Sequence, residues 1–373
     1  MIALRGHNRA TSLVFAILLT LNLLGCDVDN KDERYLYRSG DTIFYYQGRV
    51  LKKDSHTTLI SSASGVEFNA EGDTLELFLK SNNDSHNYFT LSIDGKYKDR
   101  YQIGSDSINR IAIALPTVGP EPHGVGLYKA TEASNGSILF YGAKSKKIGV
   151  ATIRRSTKME FIGNSITCGM GADLSTVPCG EGEWFDQHNA YLAFGPRVAR
   201  ALNSDYLLSS VSGIGMYRNW NDENLAEPIM PEVYDNLFLN TDTSHKYSFD
   251  DKPDIICICL GTNDMSEGDG TKPRLPFNKE KFVQNYTKFV EHLFGKNPEA
   301  KMVLLTSPMV SGDKGKILLE SLKEVKDHFG NDPKISIFQF EEMQPNGCTS
   351  HPDLEDHKTM ADQLEPFLKK ILE

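Results

Sequence analysis

Lys158-Met159-Glu160-Phe161-Ile162-Gly163-Asn164-Ser165-Ile166-Thr167-Cys168-Gly169-Met170-Gly171 opens with a short apolar run and breaks at Gly163-Asn164 into a serine followed by more glycines. The run reads as a buried strand and the break as a turn, which sets a hydroxyl at the strand's tip. In an open parallel sheet, ligands collect beyond the carboxyl ends of the strands, so Ser165 stands where chemistry is usually done. A serine there can also do no more than satisfy local backbone groups.

Outward from this stretch the pattern repeats. Apolar runs at 159–162, 206–211, 255–260, 302–305 and 335–340 alternate with helical stretches such as 190–202 and 280–294, for which Asn203 and Gly295 are candidate stops. Such β–α alternation predicts a parallel sheet covered on both faces. Cys257 and Cys259 alternate with Ile256 and Ile258, so they read as small core residues on one face of a buried strand. A last helix over 354–372, with Pro366 inside it, follows His351-Pro352.

Before Arg155 the period differs. Segments 74–80, 88–96, 108–115 and 138–141 are short strands punctuated by turns, and Asp94-Gly95 fits a hairpin. This block reads as a jelly-roll-like β-sandwich. Tyr35, Tyr37, Tyr45 and Tyr46 read as core aromatics within it, the other role open to them being a ring-stacking surface for carbohydrate.

Three blocks follow the serine in order: Ser212-Gly213-Ile214-Gly215, Gly261-Thr262-Asn263-Asp264 at the end of an apolar run, and His351-Pro352. Together the four blocks resemble the SGNH (GDSL-like) hydrolase superfamily. Tyr45-Tyr46-Gln47-Gly48-Arg49-Val50 and Gly65-Val66-Glu67-Phe68 are similar to stretches of the sandwich that precedes the catalytic domain in carbohydrate esterase family 2. The resemblance implies a sandwich over 35–155 and a flavodoxin-like three-layer α/β/α hydrolase domain over 156–373.

Acyl transfer needs a nucleophile, a base touching it and donors for the developing oxyanion. Ser165 and His351 supply the first two, since imidazole is the side chain whose ordinary pKa suits proton abstraction near neutrality. From the resemblance, the backbone N–H groups of Ser165 and Gly213 and the Asn263 amide form the oxyanion hole. Gly215 competes with Gly213 for that role, while Ser212 and Asp264 read as loop supports. Many superfamily members carry an aspartate three residues before the histidine, but here that position is Cys348. Either a Ser-His dyad operates with a backbone carbonyl holding the imidazole, or a remote carboxylate substitutes.

Arg5 and Arg9 precede an apolar stretch, 13–24, that is short for a membrane span and ends at Gly25-Cys26. Residues 1–25 read as a signal peptide. Leu23-Leu24-Gly25-Cys26 resembles a bacterial lipobox, implying a lipid anchor at Cys26, a linker over 26–34 and an outer-membrane lipoprotein on the periplasmic face or cell surface. In an exported protein Cys168 and Cys179 are candidates for a disulfide beside the site.

With 40 basic and 50 acidic residues, the 373-residue chain has a formal charge of −10, which argues against a nucleic-acid surface. Neither a metal nor an organic cofactor is expected. Loop 173–188 offers Trp184, Phe185, Glu181 and Glu183, a mixture suited to a sugar face and its hydroxyls. The expected activity is removal of O-acetyl groups from a poly- or oligosaccharide. The alternatives are another O-acyl ester, such as a peptidoglycan acetyl group or a lipid ester, and a non-catalytic carbohydrate-binding lipoprotein.

Overall fold

Among the described residues of this computed structural model, 34–119, 121–152, 155–330 and 332–373, twelve strands precede residue 155. The leader and Cys26 lie outside the described residues. The strands are β1 (Tyr35–Arg38), β2 (Tyr45–Gln47), β3 (Val50–Lys52), β4 (Thr57–Leu59), β5 (Gly65–Glu71), β6 (Thr74–Asn82), β7 (His86–Ile93), β8 (Lys96–Gly104), β9 (Asn109–Ala114), β10 (His123–Lys129), β11 (Ser137–Ser145) and β12 (Lys147–Gly149). They form two antiparallel sheets, one ordered β3-β4-β11-β6-β9 with β1 on β11, the other β12-β5-β10-β7-β8 with β2 on β5. Asp94 and Gly95, both at positive φ, make the tight β7–β8 turn expected of an Asp-Gly pair.

Alternation along the strands sends Val66, Phe68, Leu75, Leu77, Leu79, Phe89, Leu91, Leu127 and Phe140 into one core between the sheets. Tyr37 and Tyr46 pack against that core. Tyr35 and Tyr45 do not: Tyr35, the first residue of β1, is 65% exposed, and Tyr45 is directed to Asp205, to which its hydroxyl donates at 2.6 Å.

Five parallel strands follow: β13 (Thr157–Gly163), β14 (Ser204–Ser210), β15 (Ile255–Cys259), β16 (Lys301–Leu305) and β17 (Ile335–Phe338). Their order, β14-β13-β15-β16-β17, is the flavodoxin-like 2-1-3-4-5 arrangement. The helices are α1 (Ser165–Cys168), α2 (Phe194–Ala201), α3 (Met230–Val233), α4 (Lys279–Lys296), α5 (Gly312–His328) and α6 (Leu354–Leu372). Ile256 and Ile258 face a core shared with Phe282, Phe289 and Leu293 of α4 and Leu318 and Leu322 of α5. Cys257 and Cys259 face the opposite core with Val198 of α2 and Leu364 and Leu368 of α6. Both faces of the sheet are covered, which is why its strands read as continuous apolar runs.

Two helix boundaries differ from expectation. The stretch 190–202 is a 3-10 turn, Ala190–Leu192, broken from α2 by extended backbone at Ala193. Restarting there leaves Pro196 in the first turn of α2, where its missing N–H costs no helical hydrogen bond. Gly295 does not stop α4, which runs to Lys296 and is capped by Asn297.

Buried polar groups join the sandwich to the hydrolase fold. Arg49, fully buried, donates to Ser209 Oγ (3.0 Å) and the Asn236 carbonyl (2.9 Å), and Ser209 Oγ donates to Glu160 of β13 at 2.6 Å. Arg155 bridges Glu67 and Asp205, while Arg100 donates to the carbonyls of Asp186 and His188 and lies over the Tyr88 ring. A buried charge persists only where such partners exist. Arg49 and Glu67, which belong to the family-like stretches of the sandwich, are therefore interface residues.

Candidate active site

The switch point of the sheet lies beside β13, between β14 and β15, and three predicted site residues sit just past the carboxyl ends of those strands. Ser165 begins α1, capped by the Asn164 side chain, which accepts the Ile166 N–H at 3.1 Å. Gly213 follows β14 and Asn263 follows β15. His351 comes from the loop between β17 and α6. The four share a cavity of about 530 Å³ that is also lined by Met170, Ser212, Trp220, Asn221, Glu227, Lys272 and Thr349.

Ser165 Oγ lies 2.8 Å from His351 Nε2, and His351 Nδ1 lies 3.0 Å from the Thr349 carbonyl oxygen and 3.1 Å from Thr349 Oγ1. Because a carbonyl can only accept, it fixes the proton on Nδ1 and leaves Nε2 to receive the serine proton. Burial lowers the His351 pKa below 6.5, opposed by its bonds to backbone oxygens and by the nearby Glu132 charge. The imidazole is therefore neutral near pH 7, the state a base requires.

The histidine loop is held against the serine loop. Cys348 N–H donates to the Gly171 carbonyl at 3.0 Å, and Gly171 has φ +66° with no room for a side chain, since a Cβ would lie 2.7 Å from the Cys348 oxygen. Thr349 and Ser350 both take positive φ, a strained choice for non-glycine residues beside a site. A disulfide joins Cys348 to Cys179, 169 residues away. This corrects the expected Cys168–Cys179 pairing: Cys168 faces inward from α1, a buried free thiol bonded to Ser210 Oγ at 3.2 Å. The residue in the aspartate position is thus a covalent clamp.

Gly213 has φ +77°, and a Cβ there would meet only Trp220 Cβ at an ordinary 3.9 Å, so glycine serves the backbone conformation there rather than a tight fit. Gly215 is the weaker oxyanion candidate, because its N–H donates to Asn219 Oδ1 at 3.0 Å. Asn263 Nδ2 donates to the Ile214 carbonyl at 2.8 Å with one of its two hydrogens. Asp264, fully buried, accepts from the N–H groups of Met216 and Tyr217 and so ties the two donor loops together. Burial pushes its pKa up to about 6 against the pull of those amides. Arg274 adds a second tie, donating to the carbonyls of Asn263 (2.8 Å) and Asn219 (2.6 Å).

Loop 173–188 contributes differently from expectation. Trp184 is about half exposed and packs edge-on against His188, Phe185 is buried, and neither lines the cavity. Trp220 is the aromatic side chain of the cavity wall. The sequence signal for it is its place seven residues after Gly213, among Asn219, Asn221 and Asp222.

The chain is a carboxylic ester hydrolase, and the family described as GDSL-like Lipase/Acylhydrolase matches residues 161–329. Within that class the chain resembles the family 2 carbohydrate esterases, and the domain described as Carbohydrate esterase 2 N-terminal matches residues 46–151. An acetylxylan esterase / glucomannan deacetylase of Cellvibrio japonicus is 29% identical over 333 residues, covering 87% of this chain and 89% of that protein. A family two carbohydrate esterase from Clostridium thermocellum, solved in complex with cellohexaose, is 25% identical with a TM-score of 0.76, covering 88% of this chain and 99% of that one. A family two carbohydrate esterase from Cellvibrio japonicus shares the fold with a TM-score of 0.77 at 22% identity, covering 91% of this chain and 98% of that one.

Proposed function

We propose that the protein is a carbohydrate acetylesterase that removes O-acetyl groups from a polysaccharide or its oligosaccharides through a serine acyl-enzyme and a Ser165–His351 dyad. The observation that carries this reading is the 2.8 Å contact between Ser165 Oγ and an imidazole whose other nitrogen rests on the Thr349 carbonyl. His351 Nε2 takes the hydroxyl proton as Oγ attacks the acetyl carbon. The oxyanion meets the Ser165 and Gly213 N–H groups and the second hydrogen of Asn263 Nδ2. As the tetrahedral adduct collapses, the imidazolium returns its proton to the departing sugar oxygen. Water, deprotonated by the same nitrogen, then attacks the acyl-serine and releases acetate.

Trp220 offers a ring for a sugar face, and Asn221, Glu227 and Lys272 offer polar partners for hydroxyls, a lining better suited to a glycan than to a lipid chain. The cellohexaose complex of the Clostridium thermocellum esterase supports a glycan as the occupant. Acetate release from a panel of acetylated glycans, by wild type and Ser165→Ala, tests the reading. Release that is undiminished in Ser165→Ala overturns it, and activity confined to acetylated peptidoglycan or lipid esters selects the alternative substrates.

The lipobox-like Leu23-Leu24-Gly25-Cys26 supports anchoring at the outer membrane through an acylated Cys26. Intact-mass measurement of the membrane-bound protein checks this, an unmodified mature terminus being the contrary result.

A further inference from the structure

Glu132 follows the last residues of β10, in the sandwich, yet its side chain reaches the hydrolase loops. It is wholly buried, and its Oε2 accepts the Ser212 N–H at 3.0 Å and the Ser212 hydroxyl, while Oε1 accepts the Ser134 hydroxyl. Lys129 Nζ, equally buried, is bonded to the Glu132 carbonyl oxygen at 2.5 Å and to Thr131 Oγ1 at 2.9 Å. Ser212 immediately precedes Gly213, and the Trp220 N–H donates to the Gly213 carbonyl at 2.8 Å. The peptide unit that presents the Gly213 N–H to the cavity is thereby held on both sides, by Glu132 before it and Trp220 after it.

No carboxylate among the described residues hydrogen-bonds His351, whose Nδ1 is met by neutral Thr349 oxygens. Full triads place a carboxylate there to support the imidazolium. Glu132 is the charge that favours the His351 cation, while the neighbouring His188 and His357 are fully buried and held neutral. Lys129, brought down to about 7 by burial against the opposing pull of Glu132, and the buried Cys168 thiol, pushed up, face the same carboxylate.

We propose that Glu132 is a positioning residue of the catalytic centre, a carboxylate supplied by the sandwich that fixes the Gly213 donor and offsets the positive charge formed on His351 during turnover. The proposal rests on the serine-esterase reading above. It makes the sandwich part of the active machinery, so that the hydrolase fold alone carries an incomplete site.

The test is steady-state kinetics across pH on Glu132→Gln, which keeps an acceptor for Ser212 but removes the charge, beside Ser212→Ala and Ser165→Ala. Glu132→Gln is expected to lower kcat about 10-fold with KM within about twofold, the pattern of lost transition-state support. The acid limb of kcat/KM should move to lower pH by about 0.5, because the imidazolium loses a favourable charge. Ser212→Ala keeps the charge, so its kcat should fall with the acid limb unmoved. A Glu132→Gln protein with wild-type kcat and acid limb overturns the proposal, as does an acid limb that stays in place while only melting temperature drops. If Glu132→Gln does not fold, wild-type kcat in Ser212→Ala overturns the role in fixing the donor. An active Ser165→Ala protein would instead remove the underlying mechanism, so the two failures are told apart.

Discussion

In the proposed mechanism His351 is the base, and its own loop prepares it for that role. The Thr349 carbonyl selects the tautomer, and burial keeps the ring neutral below its ordinary pKa of 6.5. The acid limb of kcat/KM should therefore fall below pH 6.5, and a limb well above 6.5 in a pH–rate profile would contradict the assignment. Asn263 makes a separate prediction. With one hydrogen committed to Ile214 and the other proposed for the oxyanion, Asn263→Ala should lower kcat by roughly 10²–10³ with little change in KM. A change in KM alone would make Asn263 a substrate contact. That Ser165, Gly213, Asn263 and His351 meet at one cavity was legible in the sequence because each sits in a short block tied to a strand end or a helix start. Glu132 and Arg274 were not, since each acts through neighbours that only the folded chain brings close, and Trp220 was marked only by its place after Gly213.

At the scale of elements, the loop between β17 and α6 is held by unlike devices that should fail differently. Asp353 caps α6, accepting the N–H groups of Glu355 and Asp356, and Asp356 returns the bond to the Asp353 N–H. Neither carboxylate meets the imidazole, so Asp353→Asn or Asp356→Asn should cost about 1 kcal/mol of stability or less, as a cap does, and leave kcat within a few fold. Loss of activity in a folded Asp353→Asn or Asp356→Asn protein would identify a third catalytic member and overturn the dyad. Cys179→Ser removes a cross-link between distant loops, for which about 2–5 kcal/mol is expected, together with a fall in kcat as the His351 loop loosens. Chemical unfolding and kinetics on the same samples check both effects; unchanged stability would show that the clamp is dispensable. The parallel strands were legible because burial on both faces makes them unbroken apolar runs, whereas the Cys179–Cys348 pairing depends on how two loops meet and leaves no local spacing signal.

Across the whole molecule, buried ionisable groups set how stability responds to acid. Burial takes His357 down to about 3 and His188 well below its ordinary value, so both are neutral in the fold. A histidine depressed in this way stabilises fully above the unfolded value of 6.5, and the contribution is lost as pH falls toward the folded value. Asp264 works in the opposite sense. Raised to about 6, it contributes below the unfolded value near 3.8, and that contribution is lost as pH rises through 6. Near pH 5 the unfolded chain thus binds two protons on these histidines that the fold refuses, while the fold holds one on Asp264 that the unfolded chain does not. On these three groups the balance near pH 5 favours unfolding, and His357 alone contributes about 1.4 kcal/mol per pH unit between its folded and unfolded values. His357→Gln leaves an acceptor for the Phe194 N–H, which His357 Nδ1 meets at 3.3 Å, and removes one of the two titrating rings. Denaturant unfolding at pH 4.5, 5.5 and 6.5 should show stability falling with acid in wild type and falling less steeply in His357→Gln. A variant that keeps the full wild-type slope would mean that His357 is not among the groups responsible.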